Sequence, residues 1–405
     1  MIDSSRSTSR VGLALGGGGP EGSIYEIGAV RALDEALDGI DFNDLDIYVG
    51  VSAGAFISAC LANNLSTAQM CRAIVKHEPG EHPFVPETFL SPAVGEFVRG
   101  GMMVPQLFLA GLWDLVKHPK EHRLVEPLER LARALPVGLF RSEPLRSYLA
   151  KIFSKPGRSD DFRKLRRRLV VVATDLDSGR PVLFGEPGLD HIPISTAVQA
   201  SSALPGLYSP VRIEGRDYVD GVLFKTVHAS VALDEGADLV VCINPIVPVD
   251  TSRSVELGIM RRGRLADRGL PTVLAQTFRT IIHSRMSVGL LNYETRYSDR
   301  DVLVFEPRRD DYTMFFSNVF SFANRKAVCE HAYRSTRQKL WRNRRRLEPV
   351  LARHGITLRV DLLEDQNRDL WDSVNLHERR PASTSHVKAR LDKALARVEE
   401  FIAAY

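Results

Sequence analysis

The first 64 residues alternate apolar runs with glycine-rich turns and helical patterns, and this alternation constrains the fold more than any other feature. An apolar run at 11–15 ends in four consecutive glycines, and apolar residues then recur every three or four positions over 23–37. A second run at 47–51 leads into a helical pattern over 53–64. Alternating strands and helices are typical of a parallel sheet with helices on both faces. The sequence therefore predicts an α/β fold with a mainly parallel central sheet.

Three later segments resemble buried strands. Residues 169–174 and 239–243 are continuous valine-rich runs, and 302–305 is a shorter run of the same kind. Strands without polar alternation are typical of the centre of a parallel sheet, because both of their faces are covered. We therefore expect these segments to join the same sheet.

The chain divides into regions of different pattern. Residues 10–250 hold the strand-rich main domain, and 66–165 interrupt it with many prolines, aromatic residues and methionines. We predict a large helical, apolar insertion there, which either caps a site or only packs as a subdomain. Residues 251–375 are predicted to be a mainly helical region that completes or flanks the core. Residues 376–405 read as a linker followed by an amphipathic helix.

Composition excludes several classes of protein. With 405 residues, 44% apolar and 26% charged, the chain has globular character rather than a disordered one. Four cysteines lie far apart and the N-terminus lacks a signal-like apolar core, so we expect a reduced, cytoplasmic protein. The longest apolar segment, 101–113, is shorter than the roughly 20 residues that span a bilayer. No transmembrane helix is predicted.

The charge is distributed unevenly along the chain. Residues 1–250 carry 25 Lys and Arg against 31 Asp and Glu, a net charge of −6, whereas 251–405 carry 29 against 19, a net charge of +10. A basic region attracts anionic surfaces. Its arginine runs at 261–264 and 341–346 are either solvated helix faces or part of a contact with an anionic membrane.

One serine lies between two glycines at a predicted junction of strand and helix. The segment Gly50-Val51-Ser52-Ala53-Gly54 matches a nucleophile elbow, in which small neighbours permit a sharp turn that exposes the serine hydroxyl. An ordinary Gly/Ser turn before a helix gives the same pattern. Ser52 is a nucleophile only if a base accepts its proton.

The glycines at 16–19 present unhindered backbone N–H groups at the start of a helix. Such donors suit a phosphate or the oxyanion of a tetrahedral intermediate. The spacing matches neither the dinucleotide-binding pattern nor the P-loop, since no Gly-Lys-Ser/Thr follows. An oxyanion site is therefore favoured over a nucleotide site.

The base has three candidates in the strand-rich region. His191 and His228 lie in no recognisable catalytic context. Asp220 ends a hairpin-like segment at 211–221, and the glycine that follows allows it to turn inward against another strand. Asp220 is the better candidate, provided that it lies within hydrogen-bond reach of Ser52.

The motifs taken together resemble one family. They occur in this order: 16–22 (GGGGPEG), 50–54 (GVSAG), 173–179 (ATDLDSG), 200–206 (ASSALPG) and 219–221 (VDG). Over residues 10–250 the chain resembles the patatin-like phospholipases. The resemblance implies a three-layer α/β patatin-like fold and a dyad of Ser52 and Asp220 without histidine. It also implies an oxyanion hole from the amides of Gly17, Gly18 and Gly19, an elbow framed by Gly50 and Gly54, and acyl-ester hydrolysis without a metal or cofactor.

Two positions depart from the family pattern. Glu21 stands where members usually have Arg or Lys, and Val222 where they usually have Gly or Ala. A carboxylate at position 21 would repel an oxyanion or a lipid phosphate. Alternatively, Glu21 is turned to solvent and its charge is offset by the helix N-terminus.

The expected function is that of a cytoplasmic lipid acyl hydrolase that cleaves carboxylic esters of acyl lipids and docks peripherally at anionic membrane. No nucleic acid is expected as a partner, and the oligomeric state is left open. A thioesterase or acyltransferase would use the same dyad. If Glu21 disables the oxyanion region, a catalytically weak lipid-binding or scaffold protein is expected instead.

Overall fold

The computed structural model describes five ranges of the chain. They are residues 9–76, 91–93, 136–252, 264–316 and 322–374. Most of the predicted insertion at 66–165 lies outside the described residues, as does the predicted linker and helix at 376–405.

Twelve strands lie in the described residues, and five of them, which begin at residues 11, 47, 168, 239 and 301, correspond to strands predicted from the sequence. The twelve strands are β1 (Val11–Leu15), β2 (Leu37–Asp38), β3 (Ile47–Val51), β4 (Gly138–Phe140), β5 (Arg168–Asp175), β6 (Pro181–Phe184), β7 (Gly206–Tyr208), β8 (Val211–Ile213), β9 (Arg216–Asp220), β10 (Leu239–Ile243), β11 (Asp301–Phe305) and β12 (Thr357–Leu358). The three valine-rich segments form β5, β10 and β11, as expected.

The described helices lie between these strands and dominate the C-terminal region. They are α1 (Gly19–Ala36), α2 (Ala53–Ala62), α3 (Thr67–Met70), α4 (Glu143–Phe153), α5 (Ile194–Ser201), α6 (Ala229–Asp234), α7 (Leu270–Arg296), α8 (Tyr312–Phe316), α9 (Phe322–Ala352), α10 (Val360–Glu364) and α11 (Leu370–Ser373), with a π-helical turn at Cys71–Lys76 after α3. Helix α1 begins four residues before its predicted start, because its first turn carries no apolar periodicity.

One mixed sheet organises the described residues. Strands β11, β10, β1, β3 and β5 are adjacent in this order and run parallel. Strands β6 and β9 pair antiparallel with β5, and β8 pairs antiparallel with β9 at the far edge. The prediction of a mainly parallel central sheet is confirmed.

The two faces of the sheet bury separate cores, which makes the fold three-layered. Side chains alternate between faces along a strand, so Leu13 and Val171 lie in one core and Val49 and Val170 in the other. Helices α1, α2, α5 and α9 cover the first face. Helices α6 and α7 cover the second.

The C-terminal region completes this core. Strand β11 extends the sheet, and α9 packs along α1. Glu35 of α1 accepts hydrogen bonds from Tyr333 of α9 and from Arg368. The two helices approach closely at Gly28, where an added Cβ would lie 2.3 Å from the carbonyl oxygen of Cys329. The domain boundary near residue 250 stays a prediction.

A methyl group at Gly28 tests this close packing. We expect Gly28→Ala to lower the free energy of unfolding by roughly 1–2 kcal/mol, because the α9 backbone must move away. Gly289→Ala in α7, where an added Cβ meets open space, should instead raise it by about 0.5–1 kcal/mol, since alanine favours a helix. Urea unfolding of both variants gives the comparison. Equal stabilisation by both substitutions would contradict the α1–α9 contact.

Candidate active site

The shared edge of β5 brings the two predicted catalytic residues together. Strand β6 occupies one edge of β5, and β3 occupies the other edge as far as Val172. At Ala173 strand β9 takes over that second edge from the opposite direction. Val51 ends β3 opposite Val172. Asp220 ends β9 opposite Ala173. The carboxyl ends of β3 and β9 therefore meet, and Ser52, which follows β3, lies beside Asp220.

Ser52 occupies a sharp turn between β3 and α2. Its backbone has φ 53° and ψ −118°, in the left-handed region that a residue with a side chain rarely adopts. An added Cβ at Gly50 would lie 2.5 Å from Ala55 Cα, and one at Gly54 would lie 2.4 Å from the carbonyl carbon of Leu15. The turn therefore requires glycine on both sides of Ser52.

A second serine holds the turn in place. The Ser52 amide donates to Ser201 Oγ at 2.8 Å, and the Ser201 hydroxyl donates to the carbonyl oxygen of Val172 at 2.6 Å. Ser201 thus ties the elbow to strand β5 from the end of α5. Ser201 lies in the motif at 200–206, but the sequence alone did not indicate its role.

Asp220 is buried beside Ser52. Asp220 is 2% exposed and Ser52 is 6% exposed. The Asp220 carboxylate accepts a hydrogen bond from the Val222 amide at 2.9 Å. An added Cβ at Gly221 would lie 2.3 Å from the carbonyl oxygen of Val172. The glycine therefore permits the close approach that carries Asp220 inward.

Burial makes Asp220 a stronger base than a surface carboxylate. Burial raises the pKa of Asp220 to about 7, although the Val222 amide and the Ser52 side chain both act to lower it. A group that accepts a proton most effectively has a pKa near the working pH. Asp220 is suited to accept the Ser52 proton at neutral pH.

The glycine loop passes directly beside Ser52. An added Cβ at Gly17 would lie 3.3 Å from Ser52 Cβ. The amides of Gly17 and Gly18 donate no hydrogen bond to another described residue, and Gly19 begins α1 with φ 60°. Unused N–H groups at a helix start are suited to a developing negative charge.

A cleft of about 320 Å³ opens onto these residues. Ser52, Asp220, Gly18 and Gly19 lie in its wall. Much of the remaining wall is apolar and comes from separate elements: Phe56, Leu145, Leu204, Leu207, Tyr208, Val222, Leu223, Ile246, Phe278 and Ile282. An apolar cleft with a few polar groups at one point suits an acyl chain with its ester at the polar end.

The Glu21 side chain is partly buried and lies near a positively charged arginine. It lies in the first turn of α1, and its Oε2 is 3.8 Å from Nη2 of Arg279 in α7. Burial raises the pKa of Glu21 to about 7, and Arg279 offsets part of that rise. Arg279 itself lines the cleft. No motif surrounds Arg279, so sequence reasoning missed it.

Neither histidine considered as a base takes part in this arrangement. His191 is exposed and its Nε2 lies 2.8 Å from Glu214 Oε1. His228 is buried, and burial lowers its pKa to about 3, which makes it a weak base. Neither belongs to the described wall of the cleft. Asp220 is the candidate that lies beside Ser52.

Known proteins resemble this chain over part of their length. The uncharacterized protein R571 of Acanthamoeba polyphaga mimivirus is 24% identical over 210 residues, which are 52% of this chain and 57% of R571. The structure of VipD from Legionella pneumophila has a TM-score of 0.30 at 18% identity, over 61% of this chain and 52% of VipD. The structure of SpcU in complex with ExoU from Pseudomonas aeruginosa gives 0.25 at 19% identity, over 49% of this chain and 39% of the matched chain. The matches therefore span about half, or less, of the other proteins.

A family model settles the relationship. The model described as Patatin-like phospholipase matches residues 13–233, which is more than half of the chain. The matched range contains the glycine loop, Ser52 and Asp220. The chain belongs to the patatin-like phospholipase family.

Proposed function

We propose that this protein is a lipid acyl hydrolase that cleaves carboxylic esters with Ser52 as nucleophile and Asp220 as base. One observation carries the proposal: Ser52 lies beside a buried carboxylate whose pKa is raised to about 7, and both residues line an apolar cleft. Membership of the patatin-like phospholipase family supports a lipid substrate.

In the first half of the reaction, Ser52 Oγ attacks the ester carbonyl carbon while Asp220 accepts the hydroxyl proton. The amides of Gly17, Gly18 and Gly19 stabilise the negative charge on the carbonyl oxygen. The tetrahedral intermediate then collapses. Its alcohol leaves with the proton from Asp220, and the acyl group remains on Ser52.

In the second half, water takes the place of the alcohol. Asp220, again ionised, accepts a proton from the water as it attacks the acyl carbon. Collapse returns the proton to Ser52 Oγ and releases a fatty acid. Each proton taken up by Asp220 is returned within the same half-reaction, so the dyad needs no further base.

Two alternatives differ in their chemistry. A thioesterase or acyltransferase uses the same dyad on a thioester or with an acceptor other than water. A lipid-binding scaffold requires that Glu21 disable the oxyanion region. The position of Arg279 opposite Glu21 favours an enzyme over the scaffold, because the carboxylate does not face the cleft as an unopposed charge.

Loss of either dyad member tests the mechanism. We expect Ser52→Ala and Asp220→Asn each to reduce fatty acid release by at least about 10³-fold, and the double variant to lose little more, since the two residues act as a unit. Release is measured from phospholipid, lysolipid, monoacylglycerol and acyl thioester substrates, and the most active substrate identifies the ester class.

Ser202→Ala and His191→Ala are the matched controls. Ser202 is another serine in the cleft wall, and His191 was a candidate base. Both variants should retain most of the activity. Independent, multiplying losses from Ser52 and Asp220, or loss of activity in a folded His191 variant, would overturn the dyad.

We further propose that the protein reaches its substrate by docking α7 on a lipid surface. Large apolar side chains of this helix are exposed: Leu270, Val273, Leu274, Phe278, Ile281, Val288 and Leu291. Phe278 is 52% exposed and also lines the cleft. Leu204, from a different part of the chain, shares both properties. Apolar side chains at the rim of the cleft are suited to enter a bilayer next to the active site.

Charge near α7 favours an anionic surface. Arg264 and Arg268 are exposed immediately before the helix, and Arg285 is exposed within it. Each arginine near an anionic leaflet contributes about 1 kcal/mol of attraction. Among the described residues, no helix is both long and apolar enough to cross a membrane. The apolar side chains between Met102 and Trp113 lie outside the described residues.

None of the arginines of α9 between residues 342 and 346 lines the cleft. Arg342 and its neighbours belong to the second half of that helix, which ends near the amino end of β11, whereas Ser52 follows the carboxyl end of β3. At that end Arg353 pairs with Asp301, the first residue of β11, and Ser9 before β1 hydrogen-bonds to His354. We therefore assign the docking to α7 rather than to this run.

Substitutions on α7 test the docking surface. We expect Leu274→Ser with Ile281→Ser to weaken binding to phosphatidylcholine vesicles containing phosphatidylglycerol by roughly tenfold to hundredfold, since two apolar side chains leave the bilayer. Hydrolysis of a soluble short-chain ester should not change, because neither residue lines the cleft. Vesicle flotation measures binding.

Two other variants locate the surface. Val288→Ser with Leu291→Ser changes equally exposed residues in the far half of α7 and should affect binding less. Reversal of Arg342, Arg344, Arg345 and Arg346 to Glu should also affect it less. Docking through the half of α7 that holds Leu274 and Ile281 would be wrong if either control lost binding as completely as the Leu274 and Ile281 variant.

A further inference from the structure

A guanidinium that has no hydrogen bond to any described residue lies in the wall of the cleft beside Ser52. Arg279 extends from α7 into the same cleft as Ser52 and Asp220, and its side chain is 27% exposed. An arginine has five N–H donors in a fixed planar arrangement. Within the described part of the chain, none of them has an acceptor at hydrogen-bond distance. The cleft therefore holds a mostly buried positive charge whose N–H donors have no acceptor among the described residues.

The two contacts of Arg279 orient the side chain without occupying its donors. Its Nη2 lies 3.8 Å from Glu21 Oε2, which is too long for a hydrogen bond. Its guanidinium carbon lies 5.0 Å from the centre of the Phe315 ring, as in a cation–π contact. The ring supports one face of the guanidinium and the carboxylate attracts one end, so the N–H groups remain available to a ligand.

The electrostatics of this wall favour an anion. Burial lowers the pKa of Arg279, while Glu21 raises it. A charge removed from water is costly unless a partner with hydrogen bonds compensates it. Glu21 compensates the charge in part, at a distance that leaves the hydrogen bonds unmade. A ligand anion in the cleft would supply both.

We propose that Arg279 is the headgroup subsite of this enzyme and binds the phosphodiester of a glycerophospholipid whose ester lies at Ser52. The inference rests on the proposed hydrolase function and adds the substrate class. The planar guanidinium matches two phosphate oxygens at once. The phosphate of a glycerophospholipid is separated from its ester groups by only a few covalent bonds, so one cleft accommodates both. Glu21 holds Arg279 in position when no phosphate is bound.

Substrates that differ only in the phosphate test this subsite. Dihexanoylphosphatidylcholine below its micellar concentration is compared with dihexanoylglycerol, which has the same acyl chains and no phosphate. We expect Arg279→Gln to reduce the ratio of their kcat/KM values by roughly 10- to 100-fold, the range of a lost hydrogen bond to a charged group. Arg279→Lys should restore part of the ratio, because it retains the charge without the bidentate geometry.

Neutralising Glu21 distinguishes the effect of its charge on this ratio from the effect of Arg279. We expect Glu21→Gln to maintain or raise the same ratio, since Arg279 loses its competing partner. The double variant Glu21→Gln with Arg279→Gln should show the low ratio, which excludes repulsion by an unpaired Glu21 as its cause. Arg296→Gln, at the end of the same helix, is the matched control. It lies outside the cleft wall and should leave the ratio unchanged.

Binding without turnover keeps the subsite testable if the hydrolase proposal fails. In the Ser52→Ala background, we expect Arg279→Gln to raise the Kd of dihexanoylphosphatidylcholine about tenfold or more by calorimetry. Equal Kd values would overturn the subsite whatever the activity of the protein. Equal losses of kcat/KM on both esters would also overturn it, because Arg279 would then only support the shape of the cleft.

Discussion

The proposed active site depends on one strand edge that two strands share. Because β3 leaves the edge of β5 after Val172 and β9 enters it at Ala173, the end of each strand fixes the end of the other. Ser52 directly follows β3 and Asp220 ends β9, so the two residues are positioned by strands rather than by a long loop. The approach is possible because the residue after Asp220 is glycine, where any side chain would collide with the backbone of β5. Pairing of the sheet backbone thus provides the precision that a catalytic dyad requires.

Burial away from water then sets the pKa values of the acidic groups near Ser52. Burial raises the pKa values of both Asp220 and Glu21 to about 7. In the proposed mechanism, Asp220, which lies against Ser52, is therefore suited to act as a base near neutral pH. For Glu21, which lies 3.8 Å from Arg279, the result is a weak ion pair that leaves the N–H donors of Arg279 without an acceptor among the described residues. Burial therefore shifts the pKa values of both the proposed base and the carboxylate beside Arg279, and such shifts are common in functional sites.

The sequence was informative where the interactions are local. Valine-rich runs predicted β5 and β10, and small residues around Ser52 predicted the sharp turn, because a strand pattern and a missing side chain act within a few residues. The choice of Asp220 over the histidines rested on the turn after a hairpin and on the family resemblance. The structure adds the contacts between distant segments. Ser201 anchors the elbow and Arg279 opposes Glu21 across the fold, and no periodicity or motif records which residues a fold brings together at long range.

The pH dependence of Ser52 acylation tests the dyad most directly. The rate at which a fluorophosphonate labels Ser52 is followed by intact mass between pH 5 and 9, in the parent protein and in Asp220→Asn. A base with a pKa of about 7 is lost by protonation as the pH falls. The parent rate should therefore fall roughly tenfold per pH unit below 7 and level off above it. Glu21→Gln should keep that profile, and Asp220→Asn should be slow and nearly independent of pH. An unchanged profile in Asp220→Asn, or a label on a residue other than Ser52, would contradict the assignment of Asp220 as the base of Ser52.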